Sequence, residues 1–206
     1  GKAHAAPWNG RTISLTSYES DINFYGKVND ANYNNYYCGG YCSGVNSLVA
    51  SAYSVNFWGA VGGINPLWNL TVNADYLTAV KNITTVGSQN YYGDLWIGNP
   101  DRDSSRTISL TSYESDINFY GKINDAACGY GYCGPGYNGL VASAYSVNFW
   151  GTVGGRNELS GLTVYANDIT VVKDITTVGS QNYNGDLWVG KAHAAPWNGR
   201  TISLTS

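Results

Sequence analysis

The stretch RTISLTSYESDINFYGK occupies residues 11–27 and recurs letter for letter at residues 106–122. Its first seven letters return at residues 200–206, and the starts at 11, 106 and 200 give periods of 95 and then 94 residues. The first and the last seventeen residues of the chain are also the same, GKAHAAPWNGRTISLTS. A fixed period indicates a repeat architecture. We divide the chain into residues 1–10 (the linker phase of a preceding repeat), 11–105 (repeat 1), 106–199 (repeat 2) and 200–206 (the start of repeat 3).

A shorter motif recurs inside each period. The tetrapeptides NFYG, NFWG and NYYG begin at residues 23, 56 and 90, and NFYG, NFWG and NYNG begin at 118, 148 and 182. They lie in frames such as DINFYGKV, in which apolar residues alternate with polar ones. This alternation predicts short β-strands, and the glycine that closes each frame predicts a turn or bend.

The fold class expected from these patterns is all-β. Short strands with a motif every thirty residues or so favour a β-solenoid, in which each turn completes its core against the next. Three motifs in a period predict about three turns in a period. The alternative is a string of immunoglobulin-like sandwiches, one in each period, because that domain size also fits.

Composition excludes several classes of protein. The formal net charge is −3 and only 12% of residues are charged, which is not the basic footprint of a nucleic-acid-binding protein. No apolar run approaches the roughly 20 residues of a membrane-spanning helix, so we expect no membrane span. Hydrophobic residues make up 43% of the chain and aromatic residues 14%, which argues against disorder.

Two longer strings are similar to a known family. SVNFWGAVGGINPLWNLTVNA (54–74) and ITTVGSQNYYGDLWIG (83–98) resemble the repeats of filamentous-haemagglutinin-type exoproteins, which are bacterial surface adhesins. The resemblance implies a right-handed parallel β-helix, an extracellular or cell-surface location, and a role in adhesion or extracellular structure. In the second period GRNELSG replaces GINPLWN, and the cysteine-rich inserts (31–47 and 126–138) have no counterpart in the family.

The four cysteines form two close pairs, Cys38 with Cys42 and Cys128 with Cys133. Three solenoid turns of about 4.8 Å would separate the pairs by about 14 Å, which is too far for one zinc site or for a bridge between periods. We therefore predict two local disulfides, formed in an oxidising extracellular setting, and no metal or cofactor. The alternative is four reduced thiols.

Strand alternation also sorts the aromatic residues. If Phe24, Phe57 and Tyr91 point inward, their neighbours point outward and form a stripe that could stack on sugars or pack against another subunit. The alternative is a second layer covered by loops. The asparagines of the tetrapeptides are expected to form amide ladders. The aromatic residues assigned to the outer surface are Tyr25, Trp58, Tyr92, Trp96, Tyr120, Trp150 and Trp188.

Catalytic and modification sites have weak signals. The paired carboxylates Glu19 with Asp21 and Glu114 with Asp116 could serve glycoside hydrolysis, but identical copies in both periods suit a solvated edge better. His4 and His193 have no acidic or serine partner nearby in the sequence, so no catalytic residue is assigned. Asn69 and Asn82 begin N-glycosylation sequons that could carry sugar or arise by chance.

Three functions remain. The first expectation is a structural protein of an extracellular fibre, whose ends continue axially into copies of itself by tandem repetition or by end-to-end stacking. The second is an adhesin arm that presents tyrosine and tryptophan faces to glycans or neighbouring cells. The third, which we expect least, is a polysaccharide-acting enzyme.

Overall fold

The computed structural model describes residues 10–31, 45–79, 81–98, 105–126, 136–190 and 201–206. Within these ranges the chain forms fifteen strands and no helix, so none of them contains a helix that could cross a membrane. The strands are β1 (Thr12–Thr16), β2 (Ile22–Phe24), β3 (Ser47–Phe57), β4 (Leu70–Ala79), β5 (Ile83–Thr85), β6 (Gln89–Ile97), β7 (Thr107–Ser112), β8 (Ile117–Phe119), β9 (Ile123–Asp125), β10 (Gly139–Ser143), β11 (Ser146–Phe149), β12 (Leu162–Val171), β13 (Ile175–Thr176), β14 (Gln181–Val189) and β15 (Leu204–Thr205).

Every pairing between these strands is parallel, and the pairings fall into three rows. Row 1 contains β1, the first halves of β3, β4 and β6, then β8, β11 and the second halves of β12 and β14. Row 2 contains β2, the second halves of β3, β4 and β6, then β9, Val153, β13 and β15. Row 3 contains Val28, Val61, β5, β7, β10 and the first halves of β12 and β14.

The all-β expectation is therefore confirmed, and the sheet is curled and parallel. Parallel pairing throughout the described residues differs from the antiparallel sheets of an immunoglobulin-like sandwich. Parallel neighbours need a long connection between them, and here that connection is a visit to the other two rows.

The chain visits the rows in a fixed order, 1, 2, 3 and then 1 again. Between β1 in row 1 and β7 in row 3 it moves to the next row eleven times, and it does so again between β7 and β15 in row 2. Three turns in a period would need nine moves. Because eleven is not a multiple of three, equivalent residues of successive repeats lie in different rows.

The core lies on the inward side of all three rows. In β3 the buried residues Leu48, Ala50, Val55 and Phe57 alternate with more exposed ones, as the sequence pattern predicts. Each inward residue stacks on the inward residue of the next strand in its row. One such column in row 1 runs through Leu48, Leu70, Gln89, Ile117, Val147, Ile169 and Leu187.

The passage from row 1 to row 2 within β6 depends on a glycine. Gly93 has a φ of +149° and lies where the register with β4 shifts between Asn73 and Tyr76. A Cβ atom at this position would lie 1.6 Å from the Ala74 carbonyl oxygen. Only glycine fits there, which explains why the NYYG motif ends in this residue.

Several sequence predictions fall outside the described residues. Cys38, Cys42, Cys128 and Cys133 all lie there, and so do His4 and His193. The two predicted disulfides therefore stay predictions.

Candidate functional site

The tetrapeptides bring like residues into contact along the rows, beginning with asparagine. The Asn56 amide donates to Asn23 Oδ1 at 3.0 Å in row 2. In row 1 the Asn118 amide donates to Asn90 at 3.0 Å, and the Asn148 amide donates to Asn118 at 2.9 Å. Each side-chain amide thus donates a hydrogen bond to the asparagine of the neighbouring strand, as in an amide ladder.

The second tetrapeptide position forms ring stacks on the core side of the rows. The rings of Phe24 and Phe57 lie 4.8 Å apart and nearly parallel. In row 1 the Phe119 ring stacks on Tyr91 at 5.5 Å and on Phe149 at 5.2 Å. Offset stacking of this kind stabilises a core beyond the area that it buries.

The fourth position forms glycine columns. A Cβ atom on Gly59 would lie 2.2 Å from the Gly26 carbonyl oxygen, and one on Gly151 would lie 2.0 Å from that of Gly121. Gly121 meets Gly93 in the same way, at 2.1 Å. The final glycine therefore lets successive strands approach closely. At Gly26, by contrast, a Cβ atom would meet open space among the described residues.

A polar network is buried between rows 1 and 3. Gln89, which is fully buried, donates to the Thr111 carbonyl at 2.7 Å and to the Thr85 hydroxyl at 3.2 Å, and it accepts from the Tyr91 hydroxyl at 2.6 Å. Burial raises the pKa of Tyr91 above its ordinary value. The network connects β6 of repeat 1 to β7, the first strand of repeat 2.

The same network recurs at the end of repeat 2. Gln181 donates to the Thr205 carbonyl at 2.6 Å, and the Tyr183 hydroxyl donates to Gln181 at 2.8 Å. This copy is only half-buried, and burial raises the pKa of Tyr183 to about 12. The contrast with Tyr91 reflects β8, which pairs with β6 and covers the first copy.

Two buried carboxylates, one for each cysteine-rich insert, form hydrogen bonds that connect the two ends of the insert. Asp125 accepts hydrogen bonds from the Tyr137 and Asn138 backbone N–H groups and from the Asn138 side chain. Asp30 accepts the equivalent bonds from Val45 and Asn46. Hydrogen bonds to a charged acceptor are among the stronger ones in proteins, so each insert starts and ends at a fixed point.

The two ends of the rows leave inward apolar residues uncovered. Ile13 in β1 is 51% exposed, whereas its equivalent in repeat 2, Ile108, is 2% exposed. At the other end Val189 is 58% exposed, whereas its equivalent in repeat 1, Ile97, is fully buried. Leu15 and Leu187 differ from Leu110 and Leu95 in the same way. Among the described residues, the two members of each pair differ in burial because one lies at the end of a row and the other lies inside a row.

The aromatic residues assigned to the outer surface lie in two rows. Tyr92 and Tyr120 in row 1 are 46% and 43% exposed, and their rings stack at 4.3 Å with planes 3° apart. Burial and the neighbouring Tyr92 raise the pKa of Tyr120. Trp188, also in row 1, is exposed and donates to the Asp168 carboxylate at 3.2 Å.

The remaining members of that set are more varied. Tyr25 is exposed in the turn after β2. Trp96 is partly buried beneath the Arg156 guanidinium, 5.7 Å from the ring centroid, a cation–π distance. The indole nitrogens of Trp58 and Trp150 are buried and have no hydrogen-bond partner among the described residues.

The sequons lie at positions where the asparagine side chain is used structurally. Asn69 Oδ1 accepts from the Ser88 backbone N–H at 2.8 Å, and Asn82 Oδ1 accepts from that of Ser109 at 3.0 Å. In repeat 2 Asp174 replaces Asn82 and accepts from Ser203 at 2.9 Å. A carboxylate can therefore replace this asparagine without loss of the contact.

No family model, curated protein or solved structure matches this chain. The candidate site is therefore defined by the columns and the two open ends of this molecule alone.

Sequence reasoning missed two of these features although both left a signal. The letters NDA before each insert and N-x-LVASAYS after it are shared by the two repeats, and they contain the Asp30–Asn46 and Asp125–Asn138 pairs. The string ITTVGSQNY is also shared, and it contains the threonine–glutamine–tyrosine network. Identity between repeats at polar positions was the available signal.

Proposed function

We propose that this chain is a right-handed parallel β-helix that builds an extracellular fibre by axial stacking. The fixed order of the three rows, with parallel pairing throughout the described residues, supports a coil. Parallel crossover connections in proteins are almost always right-handed, which supports the handedness. The extracellular setting is supported by the resemblance to surface adhesins and by the predicted disulfides.

The observation that carries the proposal is the change in burial between equivalent residues. Ile13 and Ile108 have the same neighbours in sequence, yet one is exposed and the other is in the core. Apolar burial contributes about 25 cal/mol per Å², so a second copy that covers the end would stabilise both partners. Uncovered strand edges also have backbone donors and acceptors available for pairing.

In this proposal the chain is not an enzyme. Glu19 and Asp21 lie between β1 in row 1 and β2 in row 2, whereas Glu114 and Asp116 lie between β7 in row 3 and β8 in row 1. The two acidic pairs therefore lie at different corners and do not form one cluster. A shallow depression of about 380 Å³ contains no carboxylate among its lining residues, which are Ala60, Lys81, Asn82, Arg106, Thr107 and Ile108.

A pair of lysine variants tests the stacking. Ile13→Lys places a charge on the inward side of the open end, and Ser14→Lys places the same charge on the outward side of the same strand. We expect the wild-type chain and Ser14→Lys to form filaments visible by negative-stain electron microscopy, and Ile13→Lys to remain dispersed. Equal filament formation by the two variants would show that this end is not the contact.

The second candidate function is an adhesin arm, and the stacked pair Tyr92–Tyr120 favours it. The two stacked, half-exposed rings present their edges as an apolar ridge, against which a sugar ring can pack. Glycan-array binding that is lost in Tyr92→Ala and Tyr120→Ala, but retained in Tyr165→Ala, would support this function. Tyr165 is a suitable control because it is similarly exposed in another row.

A further inference from the structure

We infer that copies of this chain stack in one rotated register, with each row of the incoming copy placed on the next row of the copy before it. This inference rests on the proposed function and specifies its interface. In that register residues 15–30 of the incoming copy pair with residues 175–189 of the preceding copy. The partner is a second copy of this chain, either linked in one polypeptide or separate.

The junction between the two repeats is the template for this interface. There β7, β8 and β9 pair with β5 and the two halves of β6, in the order Leu110 on Ile83, Phe119 on Tyr91, and Ile123 on Leu95. Residues 11–27 have the same sequence as residues 106–122. Residues 175–189 match residues 83–97 at every position except 184 and 189. The two open ends therefore carry both halves of an interface that the chain already forms internally.

The first strand of the interface is already in place at the end of repeat 2. Leu204 pairs with Ile175, and Thr205 pairs with Thr176, as Leu110 and Thr111 pair with Ile83 and Thr84. The same seven letters occupy residues 200–206 and 11–17. The β1 strand of an incoming chain can therefore exchange with this strand for equal contacts, and the rows that follow add new ones.

Among the described residues, no strand pairs with the outer edge of the groups beyond that strand. Asn182 is exposed where Asn90 accepts a hydrogen bond from Asn118, so the equivalent partner is Asn23 of the incoming copy. Tyr183 would stack on the incoming Phe24 as Tyr91 stacks on Phe119. Gly26, where a Cβ atom meets open space, would then approach Gly185 as Gly121 approaches Gly93.

The register fixes the symmetry of the fibre. Eleven moves between three rows make three and two-thirds turns for each period, which is about 18 Å at about 4.8 Å for each turn. Equivalent residues return to the same row only after three periods, or eleven turns, which is about 53 Å. Each insert is therefore displayed on three faces of the fibre in succession, whereas the tyrosine pair is absent from the junction between copies, where Asn184 replaces Tyr92.

Cysteine cross-linking distinguishes the three rotations that a stack could adopt. One chain carries Asn23→Cys, and it is mixed in turn with chains that carry Asn182→Cys, Thr205→Cys or Trp188→Cys. These three outward positions lie on the terminal strands of rows 3, 2 and 1. A disulfide forms only when the two Cα atoms lie within about 7 Å, so each mixture reports one rotation. Peptide mapping identifies the link, and the parent chain gives the background from its own cysteines.

We expect a disulfide between residues 23 and 182, and no disulfide from residue 23 to residue 205 or to residue 188 in the other two mixtures. A link to residue 205 or 188 with none to residue 182 would overturn the rotated register and leave axial stacking intact. Filaments that give none of the three links would overturn the register as well. Chains that neither associate nor cross-link would overturn the proposed function and this inference together.

Discussion

Phenylalanine-to-alanine substitutions at two equivalent positions compare a strand inside a row with a strand at the end of a row. Phe119 is buried and its ring stacks on two others, at 5.5 and 5.2 Å. Phe24 lies in the same NFYG motif but is only half-buried and has one ring partner, at 4.8 Å. We expect Phe119→Ala to lower the free energy of unfolding by about 3–5 kcal/mol, as for other buried phenylalanines. Phe24→Ala should lower it by about 1–2 kcal/mol, since less apolar surface is lost.

Urea denaturation measures the difference, at a concentration where light scattering gives the mass of a monomer. For a chain of this length the larger loss corresponds to a fall in Tm of about 10 °C. At concentrations where the wild-type chain forms filaments, Phe24→Ala should weaken assembly. Tyr183 of the preceding copy then has no phenylalanine ring on which to stack. Equal losses of stability for the two variants in the monomer would refute the reasoning, because the end would then be as well covered as the interior.

Three more predictions follow from the buried polar groups and the cysteines. Burial raises the pKa of Tyr183 to about 12, and it also raises the pKa of Tyr91. The folded chain therefore retains protons that the unfolded chain loses above pH 10, so the urea midpoint should fall as the pH rises from 10 to 12. In Tyr91→Phe this fall should be smaller. An unchanged midpoint would count against buried phenols. Asp125→Ala should lower the free energy of unfolding in urea by about 2–3 kcal/mol, because three donors lose a charged acceptor. A change within about 0.5 kcal/mol would contradict this role of Asp125. Mass spectrometry after alkylation without reductant should show links within residues 38–42 and 128–133, whereas four alkylated thiols would exclude them.

The sequence predicted the class of the fold because alternation determines which residues face the core. The inward direction of Phe57 and Tyr91 and the amide contacts of Asn23 and Asn90 all follow from a period of two residues. Stacking of like on like follows from the recurrence of the same tetrapeptide.

The number of moves between rows could not be predicted from the motifs, because the stretch of chain between paired strands of one row varies in length. Thr12 pairs with Ser47, 35 residues later, since an insert lies between them, whereas Leu70 pairs with Gln89 only 19 residues later. The short stretch from the start of β4 to the start of β6 begins without a tetrapeptide, so it is missed when the motifs are counted. For the same reason the acidic pairs and the outer aromatic residues fall in different rows, which spacing in the sequence does not reveal.

Hydrogen exchange of two identical segments tests axial stacking most directly. Residues 11–27 and 106–122 have the same letters, so differences in exchange between them report structure and not sequence. In dilute solution the amides of β1, whose residues are all exposed, should exchange faster than those of β7, which lies between β5 and β10. As concentration rises, we expect the protection of β1 to approach that of β7, because an incoming copy covers it. Equal protection in the dilute monomer, or a difference that persists at every concentration, would contradict assembly through the open ends.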